Sequence, residues 1–505
     1  MKQFVLTLLI TALCGSAAVS AQTSEKIFTL NEAIDFALQK SFGMQNISLN
    51  LESTRQNQIA RKGAFKTSAN LSLLAPDIAE TFSPDDDPKG FTIYNSRGQT
   101  LYMGALEIKQ PLPTNGSFTL STRLSQNLSS IRDAADKVQV KRFNTSTTLN
   151  FQQPLFTPNT LKLGLERANL SFESSNLQLQ RTRLDIIYQV TQSFYSYYRA
   201  TTQLQISRDE MEQKKVAHDL ARNKYSAGLI PEVDALETEV DLALSRNSLF
   251  TAETGLQREA DLFKQTIGMD LNENVVVAAD VEYTPLKIDL EKAIELALAN
   301  RPEMREGEIS KRLREMDVTE TDARSEFRAS ISAFYDLSGV SDANEKISAS
   351  PYTLFRSSMD DLRQRPGNKG IKLNFQMPLW DSGVNKAETA AAIARYEQAS
   401  LRLHNDRATI IRDTKDVVAR VRQAQDRLDV LKKSQKIAER SYEISLARFN
   451  NGDITAQILS SNRDRLTQAR SAFLNAYISF QTAAADLKRK TLYDFEKNES
   501  LIQSR

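Results

Sequence analysis

Apolar residues recur along this chain in two periods. Leu30, Ala33, Ile34, Ala37 and Leu38 fall at helical spacing and form one face. Thr29 and Glu32 in front of them have the spacing of a capping box. The same text returns at Leu290, Ala293, Ile294, Ala297 and Leu298, an offset of 290 − 30 = 260, and Met44 matches Met304 in that frame. A second helix is predicted behind each copy, to about Ala64 and about Ala323. The period then changes to two. Ala69, Leu71 and Leu73 alternate with Asn70 and Ser72, and Leu106 and Ile108 with Glu107 and Lys109. Phe118, Leu120 and Leu124 alternate with Thr119, Ser121, Arg123 and Ser125, and Leu149 and Phe151 with Asn150 and Gln152. In the second half Phe327, Ala329, Ile331, Ala333 and Tyr335 form one such run, and Ile371, Leu373 and Phe375 another. These are strands with one apolar and one polar face.

The strand blocks end alike. Leu149-Asn150-Phe151-Gln152-Gln153-Pro154-Leu155-Phe156 matches Leu373-Asn374-Phe375-Gln376-Met377-Pro378-Leu379-Trp380 at an offset of 224. From helix start to strand end the first copy is therefore 260 − 224 = 36 residues longer. The surplus fits one additional hairpin, around Tyr102 to Pro111 and Ser117 to Gln126, turning at Pro113-Thr114-Asn115-Gly116. Four strands are expected in the first half and two in the second.

Long helical segments follow. Leu163, Leu170, Leu177 and Leu184 are seven apart, a coiled-coil spacing. No proline interrupts the chain between Pro158 and Pro231, nor after Pro378. A helix from about Thr160 to Lys224 is roughly 100 Å long at ~1.5 Å per residue. It ends at Tyr225-Ser226-Ala227-Gly228-Leu229-Ile230, which matches Phe449-Asn450-Asn451-Gly452-Asp453-Ile454 at the same offset, 452 − 228 = 224. Glycine lets the backbone leave one helix and begin another. Both stretches read as tips of helical hairpins, with return helices to about Ile267 and about Thr491. Residues 267–287 read as a connector with room for a small strand at Val275-Val276-Val277.

The expected organisation is thus residues 1–21 as a signal peptide, 22–266 as a first structural repeat, 267–287 as the connector and 288–505 as a second repeat. Lys2, the apolar run from Phe4 to Leu13 and Val19-Ser20-Ala21 supply the signal's three regions. Lipidation of Cys14 is the rival reading, and Leu13 before it is large for that role. Loss of the signal leaves a mature chain without cysteine. Charge is balanced, with 65 basic and 63 acidic residues, so no global pull toward nucleic acid exists. Beyond the signal no stretch approaches the ~20 apolar residues of a transmembrane helix.

An exported chain whose strands are apolar on one face suits an outer-membrane barrel. Closure is obligatory in hydrocarbon, where an open edge leaves backbone groups unpaired. Six strands per chain then require several chains. Phe156 and Trp380, just past the strand ends, are placed at one membrane interface; Phe91, Tyr94, Tyr102, Tyr335 and Tyr352 are candidates for the other. The polar stretches 78–97 and 339–368 read as external loops. No catalytic constellation, metal-ligand spacing or cofactor motif is present; His218 and His404, the two histidines, read as solvated helix residues. A periplasmic coiled-coil scaffold or adaptor that never enters the membrane is the other class considered, and the lipid-compatible alternation of the strands argues against it.

The doubled Leu-x-x-Ala-Ile-x-x-Ala-Leu helix starts, the doubled Pro-Leu-aromatic strand ends and the two glycine tips together resemble the TolC family of outer-membrane efflux proteins across essentially the whole mature chain. The resemblance implies a mainly α protomer, internally duplicated, with long coiled-coil hairpins forming a periplasmic α-barrel. Its strands are contributed to a shared trimeric outer-membrane β-barrel. It implies a homotrimer in outer-membrane lipid, a passive conduit for efflux of small molecules or type I secretion, and no enzyme. Partners implied are a periplasmic adaptor (membrane fusion) protein and through it an inner-membrane RND or ABC transporter. By residue match the adaptor-docking tips are Tyr225, Gly228, Leu229 and Ile230 with Phe449, Gly452, Asp453 and Ile454. Asp234 takes the family's acidic periplasmic constriction, and Ile458 replaces the second acidic position. The family's usual count is four strands per chain. The 36 surplus residues leave two outcomes: a trimeric barrel of 18 strands, or 12 with the surplus hairpin outside it.

Overall fold

A computed structural model describes residues 26–86, 92–132, 137–279, 284–341, 349–450, 453–454 and 456–501. The expected signal peptide, Phe91, Gly452 and Cys14 lie outside the described residues. In chain order the elements are β1 (Lys26–Phe28), α1 (Leu30–Lys40), α2 (Phe42–Gly63), β2 (Ser68–Asp86), β3 (Thr92–Pro111), β4 (Ser117–Arg132), β5 (Lys137–Leu155), α3 (Thr160–Ser226), α4 (Glu232–Ile267) and β6 (Val275–Val277). The second half continues with α5 (Leu290–Asn300), α6 (Pro302–Asp322), β7 (Arg328–Val340), α7 (Pro351–Gln364), β8 (Asn368–Gln376), α8 (Val384–Asn450), α9 (Ala456–Thr491), β9 (Tyr493–Asp494) and β10 (Glu499–Ser500). The repeat is explicit in these lengths: α3 and α8 have 67 residues each, α4 and α9 have 36 each, and α1 and α5 have 11 each.

Two compact units emerge, and each draws on both repeats. One holds the chain up to Asn46, Thr182–Asn300 and everything from Asp413 on. Its core is built from Val190, Phe194, Phe263, Val417, Leu428 and Tyr477. Small residues let helices approach there: Ala33 and Ala37 of α1 and Ala293 of α5 are fully buried. The Thr29 capping box is present, with Glu32 N–H donating to Thr29 Oγ1 at 3.4 Å and Thr29 N–H to Glu32 Oε2 at 2.8 Å. The Thr29 N–H, and with it the Thr29 hydroxyl, donates to the Glu32 carboxylate and holds it below the usual carboxylate range. Strand β1 pairs in parallel with β6, Ile27 opposite Val276. The buried Tyr197 hydroxyl locks this pair by donating to the Val275 carbonyl at 2.6 Å. The connector thus does contain a small strand. Its partner β1 is too short for any period to show in sequence.

The second unit holds Ile47–Arg181 and Arg301–Arg412. Its centre is one continuous antiparallel sheet in the order β2-β3-β4-β5-β7-β8. The surplus hairpin is inside this sheet, as β3 and β4, and four strands come from the first half and two from the second. Arginines of α6 reach acids of α3 one heptad apart: Arg305 pairs with Glu173 at 2.7 Å and Arg312 with Glu166 at 2.8 Å. Such partly exposed pairs set register more than they add stability.

Two expected loops are instead regular structure. The described parts of the stretch 78–97, residues 78–86 and 92–97, stay in the β2–β3 ladder, with Ile78 opposite Thr100, Phe82 opposite Ser96 and Asp86 opposite Thr92. Sequence alternation loses phase there because β2 carries a bulge between Leu74 and Asp77. Ala75 and Pro76 together stand against Tyr102, so apolar residues switch from odd to even numbers while keeping one face. The stretch 339–368 contains α7, which starts at the Ser350 cap, whose Oγ accepts from Thr353 N–H at 3.2 Å. Leu354 and Ser358, four apart, are buried against β5 and β7. A polar composition hid that narrow apolar stripe.

Candidate functional site

Two features present themselves as functional, one in each unit. In the first unit they are the helix ends of the hairpins. Helix α3 stops in a Schellman arrangement: Gly228 N–H donates to the Tyr225 carbonyl at 2.8 Å and Leu229 N–H to the Lys224 carbonyl at 2.9 Å. Gly228 sits at φ +71°, where a side chain would be strained. Pro231 then starts α4. The second helix end makes the matching bond, Asp453 N–H to the Arg448 carbonyl at 2.9 Å, displaced by 453 − 229 = 224 residues. Tyr225, Leu229 and Asp453 are exposed, while Ile230 and Ile454 are half-covered. The side chain of Phe449 is not among those described. Asp234 is exposed in the first turn of α4 beside Glu232, where negative charge also complements the helix dipole. Ile458 is about half exposed.

Behind the tips side-chain bonds tie the hairpin helices to one another. Lys214 Nζ lies 2.7 Å from Asp241 Oδ2 and donates to Ser460 Oγ at 3.4 Å, so it touches both hairpins. Asn462 Nδ2 donates to Ser445 Oγ at 2.9 Å, and Arg470 pairs with Glu439 at 3.2 Å. His218 lies 3.4 Å from the Thr238 hydroxyl. Exposed apolar residues run along the outer faces: Val233, Leu236, Val240 and Leu244 on α4, and Val430, Ile437 and Ile444 on α8. Their spacings of three, four and seven are those of a coiled-coil seam without a partner. The spacing was readable in sequence, but not that it stays uncovered.

In the second unit the feature is the sheet. One face carries Leu71, Leu106, Leu120, Leu149, Ile371 and Leu373, all exposed in the single chain. The register brings them to one side, as in the row Ala69, Ile108, Leu120, Leu149, Tyr335. The opposite face carries Glu107, Lys109, Arg123, Asp336 and Lys372. Among the described residues both edges, β2 and β8, lack a neighbour. Just past the strand ends Phe156 and Trp380 are exposed, Trp380 at 87%. Phe156 adopts φ +58° and its ring lies 5.7 Å from Phe327, which stacks on Phe375. Sequence did not indicate that strained turn. Asp381 caps α8 by accepting from Gly383 and Asn385 N–H at 2.9 and 2.8 Å, and those backbone donors lower its carboxyl. The surplus turn is pinned to the start of α3: Asn159 Nδ2 donates to the Pro113 carbonyl at 2.7 Å and Thr160 Oγ1 to Asn115 Oδ1 at 2.9 Å. Among the described residues no group of three or more His, Cys, Asp or Glu is placed to hold a metal ion. No described helix is long and apolar enough to cross a membrane.

A sheet with one lipid-compatible face, in the same chain as two very long helical hairpins, defines the class of outer-membrane channel protomers. The chain belongs to the outer membrane efflux protein family, whose model matches residues 117–268 and 293–491. No curated protein sequence matches it. Among solved structures it is similar to the Campylobacter jejuni CmeC outer membrane channel, at 14% identity over 98% of this chain and 96% of that one, with a TM-score of 0.67. It is also similar to VceC from Vibrio cholerae, at 14% identity over 92% and 95% with a TM-score of 0.63. The Neisseria gonorrhoeae MtrE outer membrane channel gives 14% over 92% and 88%, again at 0.63. At these identities the likeness shows the fold. The protein is an outer-membrane efflux channel component of the Gram-negative envelope with a periplasmic helical part.

Proposed function

We propose that three copies of this chain assemble into a passive exit duct, opened at its helix tips by a periplasmic adaptor attached to an inner-membrane RND or ABC transporter. The observation that carries the trimer is the pair of bare coiled-coil seams, Val233-Leu236-Val240-Leu244 and Val430-Ile437-Ile444. Covering each such side chain contributes roughly 1.5–3 kcal/mol. In this reading residues 1–21 are removed on export, and the repeats 22–266 and 288–505, joined by 267–287, give each protomer two hairpins. Tyr225, Gly228, Leu229 and Ile230, with Phe449, Gly452, Asp453 and Ile454, form two different docking tips. Asp234 lies at the periplasmic constriction without an acidic partner at Ile458. Phe156 and Trp380 lie at one interface of the outer membrane, where amphipathic rings are favoured. The cargo is small molecules for efflux, or a polypeptide if the inner-membrane partner is a secretion transporter.

The test is photocrosslinking in intact envelopes from probes placed at Tyr225 and Asp453. The expected product joins this chain to an adaptor from both positions. Products with neither, in cells that actively extrude cargo through this channel, refute the docking assignment.

A further inference from the structure

We infer that the six-stranded sheet closes through β8 of one copy and β2 of the next, over Gly370–Gln376 and Ser68–Leu74, giving a barrel of 18 strands rather than 12. This rests on the trimer proposed above and adds the seam that holds its membrane part together.

The argument begins with direction. The sheet is antiparallel throughout, so its first strand, β2, and its last, β8, run oppositely. An even number of strands per chain lets identical copies join by one more antiparallel pair. Both edges carry apolar residues on the same face, Leu71 and Leu73 on β2 and Ile371, Leu373 and Phe375 on β8, all exposed. In hydrocarbon neither edge is tolerable unpaired.

The strand ends then set the register. Strand β8 has 9 residues. Strand β2 has 19, but its bulge lies between Leu74 and Asp77 and includes Pro76, which has no N–H to donate. A regular ladder on the free edge of β2 therefore runs from Ser68 to Leu74, seven residues (74 − 68 + 1), and β8 is long enough to cover it. Aligning the end of β2 that follows α2 with the end of β8 that leads to α8 sets Ser68 against Gln376, Ala69 against Phe375, Leu71 against Leu373 and Leu73 against Ile371. Odd residues meet odd residues, so the apolar face stays continuous across the seam. A slip by one residue would turn it over.

Barrel geometry agrees. Within one chain the row from Ala69 passes through Ile108, Leu120, Leu149 and Tyr335 to Lys369. The closing partner of Ala69 is Phe375, a stagger of 375 − 369 = 6 residues per chain. Three copies accumulate a stagger of about 18 over about 18 strands. With ~3.3 Å rise and ~4.8 Å strand spacing this is a tilt of about 35°, at the edge of the usual 35–45° range. Diameter grows roughly linearly with strand number, so the bore is about half as wide again as in a 12-stranded barrel. The anchoring of the surplus turn by Asn159 and Thr160 holds β3 and β4 in the wall.

The test uses the cysteine-free mature background. Asn70→Cys with Asn374→Cys, opposite each other on the polar face in this register, is oxidised in outer membranes beside a comparison pair, Thr119→Cys with Asn374→Cys. The expected result is covalent dimers and trimers from the first pair and none from the second. Crosslinking of the Thr119 pair means β8 meets β4, a 12-stranded wall that leaves β2 and β3 outside, and overturns the inference. A trimer by native mass spectrometry with no product from the Asn70 pair overturns it too. A monomer by mass instead refutes the trimer reading beneath it. Should the variants not assemble, hydrogen exchange on the unaltered protein in nanodiscs decides. Protection across 68–74 and 370–376 is expected, and fast exchange at every second amide of either strand marks a free edge and refutes the seam.

Discussion

Gly339 of β7 lies directly beneath Ser358 of α7, so close that a Cβ at Gly339 would run into the Ser358 carbonyl and the Leu362 backbone nitrogen. This contact lets the helix lie flat on the sheet. The buried Thr145 and Ser358 hydroxyls bond at 2.8 Å beside it, and Val340 N–H donates to Asp361 Oδ2 at 2.8 Å. Replacing Gly339 by leucine lifts α7 and breaks both bonds. Each is worth about 1 kcal/mol net, and leaving the hydroxyls unpaired costs about 1–3 kcal/mol. Hydrogen exchange over 351–364 should accelerate at least tenfold while the β3–β4 ladder stays protected. An unchanged helix would show that α7 is held by something else.

Gly228 offers a cleaner test, since no atom lies near its would-be Cβ and only its φ of +71° matters. Gly228→Ala should destabilise the tip by about 1 kcal/mol, the usual cost of a side chain in the left-handed region. Local exchange at 224–230 should rise several-fold, with the global unfolding midpoint unmoved.

Lys214 joins a carboxylate of its own hairpin, Asp241, to a hydroxyl of the other, Ser460. Lys214→Ala releases both. The loss is about 1 kcal/mol, because Asp241 is half exposed and screened. If the tips gate the duct, planar-bilayer recordings of the variant should show a larger open fraction, and its excess over wild type should shrink at high salt. A channel equally closed in both forms would assign the gate to other residues.

Glu303 makes a pH prediction. Burial would raise its carboxyl, but hydrogen bonds from Arg301 at 2.5 and 3.3 Å and the guanidinium charge outweigh that and hold it below the usual range. A depressed carboxyl contributes stability that is present above its unfolded value, ~4.3, and is lost as pH falls through the lower folded value. Wild type should exceed Glu303→Gln in thermal midpoint at pH 7, and the gap should close below about pH 4. A gap independent of pH would mean that the residue contributes shape rather than charge.

Much of this architecture is written in the chain as periods. The helix starts at Leu30 and Leu290, the hairpin ends near Ile267 and Thr491 and the surplus hairpin all follow from spacing, because long regular elements repeat their signal many times. The failures share a cause too. At Ala75-Pro76 one extra residue inverts the alternation, so a continuing strand looks like loop. At Leu354 and Ser358 the buried stripe is one residue wide and half polar. At the tips the glycine and its flanking residues are legible, but Lys214, Asp241 and Ser460 come together from three helices and carry no local pattern.

The strands are unequal in height. Those from the first half have 16 to 20 residues, whereas β7 has 13 and β8 has 9. A bilayer occupies only ~9–11 tilted residues of a strand, so the low section is cut to the membrane while the high one continues past it for roughly 20–30 Å of chain. In the proposed barrel the outward rim of each copy is therefore a battlement with one merlon. An antibody, phage or protease arriving from outside touches that merlon first. Freed from lipid on both faces, it is where this protein can change its appearance without changing its channel.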